Sequence, residues 1–375
     1  MNLNQVMLAE EVRDGKGAIL VLPPLTQSLH PWPQTCEGKT DMVKFASIAL
    51  AVLVAGVSGL AVAQDKPVLT IYTYDGFASE WGPGVPLKEG FEATCECTVN
   101  FVGADSSIST LRKVQLEGAS TEADILLGLD TAIAGEARAT GLFADHGLDL
   151  PGLTLPEAWS DAQFVPFDYS HFAFMHDSDT MPVPPKNFEE LIALPDSVKI
   201  AIQDPRSATP GLGLLLWVKA AYGDRAPEIW AGLKPKILTI TREWSESYAL
   251  FLDGEADMVL SYTTSPAYHI FDEDDHSIKA ALFEEGHFPQ IEVAGILKSS
   301  DQQELAAQFL AYLASAEGQK VIPTTNWMFP VVDLGDDLDP SFKDLPQPAK
   351  TLTLDEADII ENMSAWIDEM LAAVQ

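Results

Sequence analysis

The chain has 375 residues, 22 of them Lys or Arg and 56 Asp or Glu, for a net charge of −34. With 47% hydrophobic residues it is not a disordered acidic tail, and its charge is opposite in sign to the basic footprint that nucleic acid and anionic membranes demand. Three cysteines, Cys36, Cys95 and Cys97, are too few for a disulfide scaffold or a four-thiolate zinc site. At this length two lobes or domains are expected.

Residues 42–63 read as a secretory signal peptide. Lys44 supplies the positive start, residues 46–61 the apolar run, and Ala61-Val62-Ala63 the small-residue exit before Gln64. Residues 1–41, Pro-rich in part and without periodicity, precede the Met42 at which such a signal would begin. They are expected to be a mis-assigned start or a disordered extension. Export would place Cys95 and Cys97 in an oxidising compartment.

Beyond residue 64, β-type runs alternate with helical patterns. Residues 68–73 (VLTIYT) read as a strand, 87–93 as helix, 98–102 (TVNFV) as strand, 107–118 as helix and 123–129 (ADILLGL) as a buried strand. Such alternation predicts βα units over a largely parallel sheet. Residues 164–175 (FVPFDYSHFAFM) form a long extended stretch, after which the pattern restarts. Residues 198–203 are a predicted strand, and 210–221 a helix with Thr209 as N-cap and Pro210 as its first residue. Residues 257–262 and 290–296 are predicted strands, 302–314 a helix, and 354–374 one or two closing helices, with 272–275 a solvated acidic loop. Two α/β sets joined by extended stretches predict two lobes around a ligand cleft.

Catalytic signatures are not found: there is no Gly-x-Ser-x-Gly, Walker A loop, His-Glu-x-x-His or Cys-x-x-Cys. The acidic stretches 272–283 and 333–344 depart from the EF-hand pattern at its sixth and twelfth positions. His171, His176, His269, His276 and His287 show no metal-ligand spacing and read as structural. The positive signal is aromatic. Tyr74 follows the first strand, with Trp81 shortly after; Trp244 opens a helix; Tyr262 and Tyr268 bracket a loop; Trp327 sits in an Asn-Trp-Met-Phe-Pro segment. Aromatic faces where strands end suit an organic cation, at about 0.5–2 kcal/mol each, although any one of these rings would equally serve core packing. A second signal is Ser207-Ala208-Thr209-Pro210-Gly211-Leu212-Gly213, a Gly-rich helix start that presents free N–H groups to an anion or is an ordinary cap.

These segments carry a resemblance. LTIYTYDGFASEWGPG, ADILLGLD, FVPFDYSHFAF, TPGLGLLLW, LSYTTSPAYHI and IPTTNWMFPV together make the chain similar, over nearly all of residues 64–375, to the thiamine-binding periplasmic proteins of bacterial ABC transporters. The resemblance implies an α/β, two-lobed class II periplasmic-binding-protein fold with extended hinge crossovers. It implies lobe 1 from residues 64–168 and 289–345 and lobe 2 from residues 169–288 and 346–375. It implies a periplasmic monomer that binds thiamine, its monophosphate or its diphosphate without a cofactor or resident metal, and hands it to a membrane permease and through it to an ATPase. The rings would be enclosed by Tyr74, Trp244, Tyr262, Tyr268 and Trp327, and the phosphate end would lie against Ser106, Ser107, Ala208, Thr209 and Gly211. Here the chain departs from the family pattern, which has an acidic residue and Gly at Ser106-Ser107 and a hydroxyl residue at Ala208. Two other readings of the same fold are a thiaminase-like transferase, which needs a Cys nucleophile in the cleft, and a ferric-ion binder using Tyr262 and Tyr268.

Overall fold

The computed structural model describes residues 66–374, so the expected signal peptide and the segment before it lie outside the described residues. The frame is one ten-stranded sheet: β1 Val68–Tyr74, β2 Thr98–Ala104, β3 Ile125–Asp130, β4 Phe164–Asp177, β5 Ile200–Gln203, β6 Ile237–Thr241, β7 Met258–Tyr262, β8 Ile278–Ala281, β9 Pro289–Ile296 and β10 Phe329–Pro330. The order is β2-β1-β3-β9-β4-β7-β5-β6, with β8 and β10 also pairing with β4.

The expectation of a largely parallel sheet holds only at the two ends. β1 runs parallel to β2 and β3, and β5 parallel to β6 and β7, but the central pairings β3–β9, β9–β4 and β4–β7 are antiparallel. Two parallel half-sheets are thus joined through two central strands. β4 belongs to both: its first half pairs with β9, and its second half, from Phe172, with β7 and β8. Its nearly unbroken apolar and aromatic run is buried on both faces, as a central strand requires.

Helices cover the two faces of this sheet. The helix Thr209–Tyr222 is buried along most of its length, consistent with its Gly-Leu-Gly-Leu-Leu-Leu-Trp sequence. Its N-cap is Ala208, one residue earlier than expected. Thr209 is already inside the first turn, and no side chain caps the end. Residues 269–273, partly expected as loop, form a π-helical turn in which His269 is buried, Ile270 half-buried and 271–273 exposed. The closing segment is one helix, Glu356–Val374. It packs on the helices Ala226–Leu233 and Thr131–Ala139, and Arg138 donates to Glu356 at 2.7 Å.

Cys95 and Cys97 form a disulfide at the turn before β2, where Glu96 adopts a left-handed backbone at φ +51°. This is the end of β2 away from Ser106, about 20 Å along a strand of this length. We expect Cys95→Ser with Cys97→Ser to leave ligand affinity within tenfold of the parent. The loop closed is tiny and its stabilisation correspondingly small. Calorimetric titration checks this, and a larger loss would place the disulfide in the binding machinery.

Candidate functional site

The residues singled out by sequence lie where the strands of the two half-sheets end. Tyr74 closes β1, and its ring lies against the backbone of β3 at Gly128. A Cβ there would come within 2.6 Å of the Tyr74 ring, and Gly128 holds φ at +95°, so only glycine fits. The Tyr74 hydroxyl lies 3.0 Å from Glu292 Oε2 and 3.1 Å from Asn326 Oδ1 and can donate to either. Trp81, more than half exposed, stands at the rim near Gly76 and Tyr74.

On the other half-sheet, Trp244 begins the helix Trp244–Leu252 and keeps 37% of its surface exposed. Its ring stacks on Tyr248 at 4.7 Å and its Nε1 donates to Ser261 Oγ at 2.8 Å. Tyr262, half-buried at the end of β7, packs against Phe172 at 5.5 Å. Tyr268 and Trp327 meet edge-to-face at 5.2 Å, and Phe271 flanks Trp327 at 5.6 Å. Trp327 sits at φ +57°, a left-handed backbone costly for a large side chain. Tyr268 is steadied from behind. The buried His269 ring shares hydrogen bonds with Tyr248 Oη at 2.9 Å and Glu273 Oε2 at 2.8 Å. His269, Glu273 and Asp275 bring ligand atoms within 4.8 Å of one another, but both His269 nitrogens are already engaged, so the cluster reads as a brace.

The residues expected at a phosphate end lie at the starts of two helices, Ser107–Glu117 and Thr209–Tyr222. A groove of about 470 Å³ between the helix Ser107–Glu117 and the turn before Thr209 is lined by Ile108, Ser109, Arg112, Lys113, Leu116, Glu117, Arg206 and Ser207, and by none of Ser106, Ser107, Ala208, Thr209 and Gly211. Ser106 caps the first of these helices, accepting from Ser109 N at 3.1 Å, so its hydroxyl is partly committed. At the second, Gly211 packs so closely that a Cβ would lie 2.4 Å from the Gln203 carbonyl oxygen. No side chain caps that first turn, whose amides, Pro210 having none, begin with Thr209 and Gly211. Arg242 forms an ion pair with Asp105 at 3.3 Å, linking the loops after β6 and β2.

Comparison with known proteins bears on this arrangement. The sequence pattern of the bacterial extracellular solute-binding protein family matches residues 85–324. A thiamine-binding periplasmic protein of Brucella melitensis is 48% identical over 318 residues, spanning 84% of this chain and 95% of that one. The chain belongs to the bacterial extracellular solute-binding proteins. A solved periplasmic thiamin binding protein superposes with a TM-score of 0.80 at 46% identity, covering 83% of this chain and 97% of that one. The ferric binding protein from Campylobacter jejuni shares the fold, with a TM-score of 0.67 at 19% identity over 81% of this chain and 99% of that one. These relatives are binding proteins of the class II periplasmic type. Among the described residues no helix is long and apolar enough to cross a membrane.

What sequence reading missed in this solute-binding protein is the floor beneath Tyr74 and Tyr262. Asp130, Glu292 and Asp168 stand side by side on β3, β9 and β4, all but buried. Asn326 Nδ2 donates to Asp168 Oδ2 at 2.6 Å and to Glu292 Oε2 at 3.2 Å. Burial pushes the Asp130 carboxyl up to about 7. Burial also raises Asp168, and burial together with the Asp168 charge holds Glu292 well above the carboxylate range. The phenols of Tyr74 and Tyr262 are raised by burial and by Glu292, so both remain donors. The available signal was an acid amid the apolar residues of three strands: Asp130 at the end of ILLGLD, Asp168 in FVPFDYSHFAFMHD and Glu292 in PQIEVAGI.

Proposed function

We propose that the protein binds thiamine, free or as a phosphate ester, in the periplasm and delivers it to a membrane permease served by an ATPase. The observation that supports this reading is Tyr74 and Tyr262, one from each half-sheet, against a floor of buried acids, with Asn326, next to the Trp327 that meets Tyr268, bonded to the same acids. A quaternary thiazolium suits both parts: ring faces attract it, and the acids supply opposite charge. The relatives' names point the same way. The helix start at Ala208, Thr209 and Gly211, with Ser106 and Ser107 opposite, is the place for a phosphate ester. The two half-sheets would act as lobes, residues 64–168 with 289–345 and residues 169–288 with 346–375, closing on the ligand. The N-terminal segment would direct export and be removed near Gln64.

A transfer reaction on this scaffold has less support. Among the described residues Cys95 and Cys97 are the only cysteines, they are joined to each other, and they lie at the far end of β2. Iron binding through Tyr262 and Tyr268 has only distant likeness behind it, and Tyr268 is engaged with Trp327. The test is mass spectrometry under native conditions of whatever copurifies with the exported protein, followed by calorimetric titration. Thiamine or its phosphates as the copurifying species supports the reading. Bound iron, or no heat on adding thiamine and its two phosphates, overturns it.

A further inference from the structure

Two irregularities of the sheet act on the same spot. If the β3–β9 ladder ran regularly from Leu127 opposite Ala294, Leu129 would face Glu292; an extra residue at Gly128 shifts the register and brings Asp130 there. If β4–β9 ran regularly from Pro166 opposite Val293, Phe167 would face Glu292; a second bulge brings Asp168 there. Because a one-residue slip exchanges the faces of a strand, each bulge replaces an apolar neighbour of Glu292 by an acid. Like charges directly opposite one another on a sheet repel, so folding alone gives no reason for this row. Among the described residues no Lys, Arg or His pairs with any of the three acids. The groups facing the row are Tyr74 from β1, Tyr262 from β7, Asn326 from the segment before β10 and Gln290 from β9 itself.

Independent of the acids, Gln290, two residues along β9 and on the same face, is 3% exposed and its Oε1 has no partner. Asp168 Oδ1 is likewise unpartnered. Buried acceptors without donors are costly and rare in a finished structure. A cation bearing N–H or polarised C–H groups is the chemistry that would satisfy them.

We propose that the row Asp130–Glu292–Asp168 is the subsite that holds the positive charge of the ligand, and that filling it drives a proton from the row into solvent. This rests on the thiamine reading for the identity of the ligand but not for the chemistry of the row. Without a cation beside them the carboxyls hold protons more tightly than ordinary carboxylates, because burial and, at Glu292, the neighbouring Asp168 charge disfavour the ionised form. An organic cation against Glu292 reverses that balance: a carboxyl O–H bond breaks, the proton passes to water or buffer, and the carboxylate stays opposite the cation. The raised carboxyl range, near 7 at Asp130, places the effect at neutral pH. Affinity should therefore rise with pH from 6 to 8, since less protonated row needs to be emptied at the higher pH.

The experiment is calorimetric titration with thiamine at pH 6, 7 and 8 in two buffers of different ionisation enthalpy, on the parent protein and on Glu292→Gln. Asp168→Asn serves as a second variant, and circular dichroism verifies folding. The expected result is buffer-dependent heat showing net proton release by the parent, and affinity rising severalfold over this range. Glu292→Gln should lose tenfold or more in affinity and most of the proton release. A thiamine isostere with carbon in place of the quaternary nitrogen should bind parent and variant alike. Parent-like affinity and pH dependence in both variants would overturn the subsite. If the parent shows no heat with thiamine, the thiamine reading fails by itself. The row is then judged by thermal unfolding with the N-methylthiazolium ion, where stabilisation of the parent but not of Glu292→Gln upholds it and no stabilisation of the parent rejects it.

Discussion

Trp327→Ala is expected to lower the affinity for thiamine tenfold or more, about 1.4 kcal/mol or greater, and Tyr268→Ala to do the same. The two rings touch edge-to-face at 5.2 Å, so each removal also frees its partner. A cation held against them loses the local ring attraction, about 0.5–2 kcal/mol by itself. It also loses orientation, because Trp327 is held at φ +57° by its surroundings. Tyr74 and Trp327 belong to the segments flanking the first half-sheet, and Trp244, Tyr262 and Tyr268 to those of the second. Loss of either face therefore also weakens any preference of the ligand for the closed arrangement, since a ligand shifts such an equilibrium only by its differential contacts. Trp81→Ala has the smaller effect, because Trp81 stands more than half exposed at the rim. Calorimetric titration with circular dichroism as the fold control measures all three. Parent-like binding by both Trp327→Ala and Tyr268→Ala would move the ligand to another part of the molecule.

Trp217→Ala destabilises the fold by about 3–5 kcal/mol, the range for removing a fully buried large aromatic. Trp217 has no solvent exposure. It lies 4.8 Å from Phe188 and 5.1 Å from Phe283, and it stacks on His287 at 4.7 Å. Its Nε1 donates to the Gly286 carbonyl at 2.8 Å, so truncation also strands a buried acceptor. His287, in turn, bonds the Phe172 carbonyl through Nδ1 at 2.7 Å and accepts from Phe283 N at 2.7 Å. The damage thus reaches β4 at the point where it passes from one half-sheet to the other. Denaturant unfolding reads the loss. A loss below about 1 kcal/mol would show that this aromatic knot tolerates truncation, contrary to the packing argument.

The aromatic side of the site was legible because its residues sit at strand ends and helix starts, which periodicity marks well: Tyr74 after VLTIY, Trp244 at a helix opening, Tyr262 after MVLS. Seven of the ten strands were legible for the same reason, with bounds displaced by up to two or three residues, while β6, β8, β10 and the helices Thr131–Ala139 and Ala226–Leu233 were not read. Two things escaped. Strand direction did not show in the sequence, since β4 and β9 have the same apolar character whether they run parallel or antiparallel to their neighbours. The acidic floor escaped because its assembly depends on register. Asp130 and Asp168 reach Glu292 only through an extra residue in each flanking strand, and nothing in ILLGLD or FVPFDYS counts that residue out in advance. The Thr209 cap was misplaced by one position because Ser-Ala-Thr-Pro offers several capping candidates and the structure uses the one without a hydroxyl.

The shared strand β4 has a mechanical corollary. A cleft whose walls hang from separate linkers swings freely, and its resting angle is set by whatever the walls happen to touch. Here the walls are parts of one hydrogen-bonded sheet, and β4 crosses from one to the other without a break between Phe164 and Asp177. Any opening between the half-sheets would then be spread as small changes of twist over many residues, in the manner of a leaf spring bending along its length. A spring has a rest position of its own. The gape of the empty protein is accordingly a property of the sheet's built-in curvature, and substitutions along β4 and β9 tune it from beneath the cargo.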